Sequence, residues 1–471
     1  MSRIVLEYDS GNPLSIEAYA KRLIGKTFAD VCNEDQINGV ILVDEDYEES
    51  HRDRKRKGGL GDLIEERFFH YKCNNDSRPD FPDAGVELKV TPFRKNKDGS
   101  LAAKERLVIT MIDYNEVVNE TFEKSHLWNK CKLILLIYYL YQESIQDRLD
   151  YQIHFVQLYS PPESDLAIIK QDYEKIVEKI KAGRAHELSE SDTLYLGAVT
   201  KSADSSARRE QPFSTALAKP RAFCFKSSYM TYVLNSYLVP GKKTFDCLLN
   251  GETMNDFEAY IKDKINAFKG YSVASLCELF DIHDKNAPKN LGAIIAYRIL
   301  GVKGNNAEEF VKANIVTKTI RIGKNDKIRE SMSFPNFKFV DIVRETWEDS
   351  TIGNYLRETR FFFVVYKFNH QNELILQGAQ FWNMPKEDLK EVHRVWQRTV
   401  DVINQGIKVE ARCGKRFNNF PSASESRVCH VRPHGKNAND TYPLPDGTEY
   451  TKQCFWLNNT YLFEQIDDEL K

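Results

Sequence analysis

Acidic residues and a lysine with a spacing suited to phosphodiester chemistry lie near the start of the chain. Asp80 follows a proline, and Glu87 and Lys89 come after a short gap, in the pattern P-D and then E-x-K. Side chains on a strand alternate between its two faces, so Glu87 and Lys89 are expected on the same side. A further carboxylate, Glu65, lies upstream in the same stretch, KGGLGDLIEERFFHYKCNNDSRPDFPDAGVELKV.

This combination of side chains indicates metal-assisted hydrolysis of a phosphodiester. Hard carboxylate oxygens suit Mg²⁺, which takes one or two protein carboxylates together with waters and phosphate oxygens. A lysine beside the metal favours formation of hydroxide from water. E-x-K alone is more often a solvated charge pair, and it is Asp80, seven positions before Glu87, that strengthens the chemical interpretation.

The surrounding pattern predicts the elements that must position these residues. Apolar residues alternate with Glu87 and Lys89, which predicts a strand over 86–90 with an apolar inner face. Helical periodicity over 60–71 predicts a helix that carries Glu65 toward the sheet. Further helices are predicted over 15–32, 123–132 and 163–182, and further strands over 106–112 and 133–139. The mixture of strands and helices predicts an α/β fold.

The composition is that of an ordinary globular protein. The 471 residues suffice for two or three domains, and the net charge of −3 means that any DNA-binding surface must be local. The nine cysteines contain no C-x-x-C pair, which favours free thiols in a reducing compartment. No apolar segment resembles a signal core or a membrane span, so we expect a cytoplasmic protein without a membrane partner.

The second half of the chain repeats the first. IEAYAK is answered by FEAYIK, GGLGDLIEERFF by KNLGAIIAYRIL, and ETFEKS by ETWEDS. A region rich in Pro and Gly near 238–250 separates the copies, which predicts domains at 1–240 and 241–471.

The second copy lacks the acidic residues of the first. Glu65 corresponds to Ala296, Asp80 to Glu309 and Glu87 to Val316, and only Lys89 keeps its type, as Lys318. A valine cannot bind a metal ion, so the second domain is expected to be catalytically inactive.

The motifs together resemble a known family. KGGLGDLIE, PDF, GVELKVTP and FEKSHLWNKCK are similar to segments of the MutH and Sau-type restriction endonucleases, which act at GATC sites. The doubled chain is most similar to the Sau-type enzymes, because MutH has a single copy. The resemblance implies two tandem restriction-endonuclease-like (MutH-like) α/β domains, each with a mixed central sheet flanked by helices.

The resemblance also implies residue roles. Asp80 and Glu87 would bind Mg²⁺ with help from Glu65, and Lys89 would stabilise or generate the attacking hydroxide. The family pattern places Lys130 where it would position water or phosphate, and Lys57, at the end of the basic run HRDRKRK, near the DNA. Attack opposite the 3′ oxygen would leave a 5′ phosphate.

The family reads bases with an R-P-K-like loop and a later tyrosine, and the first half departs from both. Val199 stands at the arginine position, Cys224 stands at the tyrosine position, and only Lys201 matches. Arg208 or Arg209 are candidate substitutes.

The second half retains this loop better. It presents Arg432, Pro433 and His434, with Trp456 at the tyrosine position. Arginine paired with guanine is a common specific contact, so the resemblance implies that the inactive half binds a second GATC site as an allosteric effector.

The sequence therefore predicts a Mg²⁺-dependent type II restriction endonuclease that cleaves double-stranded DNA at 5′-GATC-3′. The alternatives are a MutH-like nicking enzyme of mismatch repair and a non-catalytic GATC-binding regulator. One active site per chain cuts one strand, so a DNA-induced dimer, sequential nicking and re-binding are all compatible with the sequence. A cognate DNA methyltransferase is expected as a functional partner.

Overall fold

The computed structural model describes residues 6–37, 59–71, 78–96, 99–202, 204, 206–239, 245–249, 254, 256–282, 290–304, 306–412 and 415–471. The chain divides into two compact units. The first unit comprises Met1–Phe245, Leu249–Asn255 and Val311–Ala313, and the second comprises Asp246–Leu248, Asp256–Phe310 and Asn314–Lys471. The basic run that ends at Lys57 lies outside the described residues.

The first unit is built on a mixed four-stranded sheet in the order β2-β1-β4-β5, in which β1 and β4 run parallel. A three-stranded antiparallel sheet, β3-β9-β6, and the β7-β8 ribbon complete it. The strands are β1 (Glu87–Lys95), β2 (Leu101–Ala103), β3 (Leu107–Met111), β4 (Ile134–Leu140), β5 (Ile153–Tyr159), β6 (Leu196–Thr200), β7 (Arg209–Gln211), β8 (Ser214–Ala218) and β9 (Arg221–Phe225).

Helices surround these sheets. They are α1 (Pro13–Ala20), α2 (Phe28–Ile37), α3 (Gly59–Leu63), α4 (Tyr114–Val117), α5 (His126–Cys131), α6 (Glu163–Lys181) and α7 (Ser227–Val233), with π-helical turns at Ile64–Phe68 and Leu234–Leu238. The helix predicted over 15–32 is interrupted at Gly25, whose φ is +89°. Thr27 and Asp30 then exchange side chain to backbone hydrogen bonds, which start α2 as a new helix.

The second unit repeats this plan. Its mixed sheet has the order β10-β12-β13 with β10 and β12 parallel, and its antiparallel sheet has the order β11-β19-β16. The strands are β10 (Ile315–Ile322), β11 (Met332–Phe337), β12 (Arg360–Phe368), β13 (Leu374–Trp382), β14 (Val409–Arg412), β15 (Lys415–Asn418), β16 (Cys429–Pro433), β17 (Thr441–Pro443), β18 (Glu449–Thr451) and β19 (Gln453–Leu457). The helices of the second half are α8 (Phe257–Asn266), α9 (Val273–Leu279), α10 (Leu291–Ile299), α11 (Glu308–Lys312), α12 (Phe339–Ile342), α13 (Thr351–Glu358), α14 (Lys386–Gln405) and α15 (Asn459–Glu464). The predicted mixed α/β fold is confirmed.

The strand that carries Glu87 and Lys89 pairs with a buried central strand, β4. Every side chain from Ile134 to Tyr138 is fully buried. This agrees with the continuous apolar sequence of β4, which is typical of a strand covered on both faces. β1 pairs with it in parallel register, with Glu87 opposite Ile134 and Lys89 opposite Leu136. The predicted reactive strand is therefore held against a strand whose first five side chains are buried.

Across the described ranges, we find no helix that combines the length and the apolar character needed to cross a membrane.

Candidate functional site

The first two residues of the site lie on β1. The Nζ atom of Lys89 is 2.5 Å from the Oε1 atom of Glu87, so both side chains extend from the same face of the strand. Leu88 points the other way and is buried in the apolar core of the unit. Glu87 itself is 1% exposed, and a buried carboxylate requires a compensating charge. Lys89 supplies part of it.

Asp80 reaches the same place through a tight turn. Phe81 and Val86 form an antiparallel bridge, and Gly85 between them has a φ of +66°, a conformation that glycine adopts without strain. This turn folds Asp80 back along β1, where its Oδ2 atom accepts a hydrogen bond of 2.8 Å from the backbone N–H of Leu88. Burial and the nearby charge of Glu87 raise the pKa of Asp80. The two carboxylates are thus close enough to repel each other.

Lys130 enters the site from α5. Ser125 caps this helix by accepting a hydrogen bond from the N–H of Trp128. The Nζ atom of Lys130 lies 3.3 Å from the Oε1 atom of Glu87 and is mostly shielded from solvent. Glu87 is therefore held between two ammonium groups, one from its own strand and one from a helix.

Glu65 lies on a distorted helix and shares a cleft with Lys89. It lies in the π-helical turn Ile64–Phe68, at the end of α3. Single π-helical turns occur frequently at functional sites because they redirect side chains. Glu65 and Lys89 line the same cleft of about 470 Å³. The corresponding helix of the second unit, α10, is α-helical throughout and carries Ala296 at this place.

The same cleft contains residues that the sequence motifs do not indicate. Lys104 and Arg148 contribute positive charge, and the Nζ atom of Lys104 lies 4.1 Å from the ring centroid of Tyr141. A groove lined by cations and aromatic rings suits a nucleic acid backbone. The segments that supply these residues are separated in sequence, so no local pattern could have joined them to Glu65.

The carboxylates fit a hydrated divalent cation. The Oε2 atom of Glu87 is buried, and within the described part of the chain it accepts no hydrogen bond, although Lys130 lies 3.3 Å away. Burial, and after it the charge of Glu87, raises the pKa of Asp80, and a cation would offset both effects. Among the described residues no group of three or more His, Cys, Asp or Glu side chains converges as a metal cage. Two carboxylates are enough for Mg²⁺, which keeps waters and binds substrate phosphates, so Glu65 as a third ligand stays a prediction.

Among the described residues of the second unit, no comparable cluster lies at the corresponding place. Val316 occupies the position of Glu87 on β10, and burial lowers the pKa of the remaining Lys318. Both carboxylate oxygens of Glu309 accept the backbone N–H of Leu248, and Cys247 donates to the same group. Glu309 therefore serves the local fold.

Strand register places the residues predicted to read bases in equivalent positions of the two halves. In the second unit Arg432 pairs with Cys454 across β16 and β19, and in the first Val199 pairs with Ala222 across β6 and β9. The same registers align Trp456 with Cys224. Val199 and Cys224 are buried, whereas Lys201 is exposed. The first half thus presents Lys201 to solvent at the predicted loop, and the candidate substitutes Arg208 and Arg209 are exposed as well.

In the second unit the predicted residues form one cluster, in which Arg432 and His434 are exposed and Trp456 is half-buried. The guanidinium carbon of Arg432 lies 3.8 Å from the centroid of the Trp456 ring, a cation–π distance. The His434 ring meets the same indole edge to face at 5.1 Å and 85°. Asn336 of β11, which the motifs do not indicate, bonds to His434. It lies 98 positions away, so only strand pairing brings it here.

Known proteins show the same pattern of similarity. The family model described as "DNA mismatch repair enzyme MutH" matches residues 69–172, which include Asp80, Glu87, Lys89 and Lys130. The type II restriction enzyme Sau3AI of Staphylococcus aureus is 38% identical over 468 residues, covering 88% of this chain and 94% of that protein. The mismatch repair protein MutH of Shewanella woodyi is 28% identical over 190 residues, covering 39% of this chain and 78% of its own. MutH of Vibrio cholerae is 26% identical over 228 residues, covering 46% of this chain and 93% of that protein.

Proposed function

The chain belongs to the Sau-type restriction endonucleases of the MutH family, and we propose that it cleaves double-stranded DNA at 5′-GATC-3′ in a Mg²⁺-dependent reaction. As a type II site-specific deoxyribonuclease it needs one hydrolytic centre, and we assign that centre to the first unit. The observation that supports this assignment most directly is the contact of Lys89 and Lys130 with Glu87, beside Asp80. The GATC sequence is supported by the resemblance of the motifs to GATC-specific enzymes.

Asp80 and Glu87 would hold Mg²⁺, assisted by Glu65, and the ion would offset the negative charge that builds up on the phosphoryl oxygens. The chain's own residues prepare this place. The N–H of Leu88 orients Asp80, and the two lysines orient Glu87. Because the protein's own groups hold both carboxylates, these need little reorganisation when substrate binds.

The lysines have a second role in the reaction. Hydrolysis forms a bond from a water oxygen to phosphorus and breaks the bond from phosphorus to the 3′ oxygen, which leaves with a proton as a 3′ hydroxyl. The product carries a 5′ phosphate. Lys89, 2.5 Å from Glu87, would stabilise the attacking hydroxide, and Lys130 would position the water or the phosphate; their contacts with Glu87 support these roles. Lys57, which the described residues do not include, keeps its proposed place near the DNA.

The second unit is proposed as a non-cleaving DNA-binding module that acts as an effector. It has Val316 at the position of Glu87, yet it exposes Arg432 and His434 beside the half-buried ring of Trp456. A chain with one hydrolytic centre makes a double-strand cut by pairing on DNA or by acting twice, and we include a DNA-induced dimer in the proposal. We also propose a cytoplasmic location and a cognate methyltransferase that protects host sites.

The test is digestion of a plasmid of known sequence by the purified protein, with and without Mg²⁺, followed by sequencing of the ends. Mg²⁺-dependent double-strand ends confined to GATC are expected. Nicks alone would favour the alternative of a MutH-like nicking enzyme of mismatch repair. Tight GATC binding without cleavage would indicate a regulator and overturn the catalytic assignment.

A further inference from the structure

The cluster in the second unit contains an amide whose orientation is fixed by its surroundings. The Nδ2 atom of Asn336 lies 3.2 Å from the backbone carbonyl oxygen of His434. A carbonyl oxygen can only accept, so this end of the amide must be the NH₂ group. The other end, Oδ1, then faces the imidazole and can only accept.

This orientation decides the tautomer of His434. Its Nδ1 atom lies 3.1 Å from the Oδ1 atom of Asn336. Two acceptors cannot share a hydrogen bond, so Nδ1 must carry the proton, and in the neutral ring Nε2 is left with its lone pair. The backbone N–H of His434 donates to the backbone carbonyl oxygen of Lys452, which holds the loop in place. His434 is exposed, and within the described ranges its Nε2 atom has no hydrogen-bond partner.

The neighbouring arginine presents the opposite chemistry. Arg432 is exposed and stacks on Trp456, which keeps the guanidinium in one plane and leaves its N–H donors available at the edge. The cluster therefore offers a donor pair beside a single acceptor. In the major groove, guanine presents the acceptors O6 and N7, whereas adenine N6 and cytosine N4 present amino donors.

We propose that Asn336 is a positioning residue that holds His434 as the Nδ1–H tautomer, so that the loop reads an exocyclic amino group next to a guanine. This inference rests on the proposed DNA-binding role of the second unit and adds the chemistry of the base that it recognises. Adenine N6 and cytosine N4 share that chemistry, and both occur in GATC.

The first unit has no equivalent of the Asn336–His434 pair at the same strand positions. Asn336 pairs with Cys454 in the second unit, and at the equivalent register Met111 pairs with Ala222 in the first. Methionine cannot orient an imidazole, and the residue that corresponds to His434 is Lys201, an obligate donor. The two units thus present opposite hydrogen-bonding groups at the same place in the fold.

The tautomer is tested directly by NMR of the full chain with ¹⁵N-labelled histidine, at about pH 8, where an ordinary imidazole is neutral. The His434 signals are identified by their loss in His434→Phe. We expect protonation at Nδ1 only. Asn336→Leu should release the ring to the Nε2–H form, whereas Asn336→Asp, which still accepts from Nδ1, should preserve the Nδ1–H form. Protonation at Nε2 in the unsubstituted chain would overturn the proposal.

Base reading is tested by duplex binding to the full chain with Glu87→Ala, which prevents cleavage. Two modified GATC duplexes are compared with the natural one. In the first, unsubstituted purine replaces adenine and removes the N6 amino group. In the second, 2-pyrimidinone replaces cytosine and removes the N4 amino group. One analogue should weaken binding about fivefold, the effect of one neutral hydrogen bond, and identify the base. The same analogue should cost nothing further in His434→Phe, because the acceptor is already gone.

The number of DNA duplexes bound per chain tests the proposed second DNA site separately from the role of Asn336. Binding of a single duplex per chain would overturn the proposed second site, and this inference with it. Two duplexes per chain, with affinity indifferent to both amino groups, would overturn the inference alone.

Discussion

The ammonium of Lys89 lies 2.5 Å from the carboxylate of Glu87, two residues earlier on the same strand. On the equivalent strand of the second unit the lysine persists as Lys318, but its partner position is Val316. One chain thus contains the pair and, within a repeated fold, the same lysine without its acid. This internal comparison supplies Val316 as a matched control position for Glu87.

Replacing Glu87 with glutamine should abolish cleavage while DNA binding persists. The change keeps the size of the side chain but removes the charge that Lys89, Lys130 and a metal ion would share. We expect cleavage to fall by at least about 100- to 1000-fold. Plasmid cleavage and fluorescence anisotropy measure the two properties. Val316→Ala, at the equivalent position of the second unit, should cleave normally, and a Glu87→Gln protein that still cut DNA would remove the proposed centre.

Lys130 should act in the reaction step more than in binding. Its Nζ atom contacts Glu87, so Lys130→Gln should lower the single-turnover cleavage rate by about 100-fold with little change in DNA affinity. Lys132, two residues further along and exposed, provides the control as Lys132→Gln. Equal rates for the two variants would show that proximity to Glu87 has no catalytic consequence.

Lys318 should destabilise the second unit, because burial lowers the pKa of its ammonium and the described residues offer it no ion pair. Lys318→Met should therefore raise the unfolding temperature. The cost of the charged form is fully present below the folded-state pKa and disappears as the pH rises through the unfolded value of 10.5, so the gain should be larger at neutral pH than at alkaline pH. Thermal unfolding at several pH values measures this, and a lower unfolding temperature at neutral pH would contradict it.

Arg432 should control the use of a second DNA site. Removing its guanidinium from Trp456 in Arg432→Ala should abolish the advantage of plasmids with two GATC sites over plasmids with one. Arg427 provides a control, because it is an exposed arginine of the same unit that pairs with Asp388 and Glu464. Arg427→Ala should retain the advantage. Equal cleavage of one-site and two-site plasmids by the unsubstituted enzyme would contradict the effector role.

The local part of the site follows from sequence alone. A strand has a side-chain period of two, so E-x-K between apolar residues was enough to place Glu87 and Lys89 on one face. The ends of α6 and β4 also agree closely with the apolar periodicity, since each is a long element with one consistent pattern. The loss of acidic residues in the second half, at Ala296 and Val316, required only a comparison of the two copies.

Only the tertiary structure decided which distant residues meet. Lys130 reaches Glu87 across 43 positions, and Asn336 reaches His434 across 98. Strand pairing and helix packing create both contacts, and the periodicity of a single segment carries no information about its partner. The interruption at Gly25 and the π-helical turn at Glu65 likewise depend on how segments pack rather than on their own apolar pattern. Sequence therefore determined the reactive groups and their strand, whereas packing decided their charge partners and orientation, because those depend on contacts between distant segments.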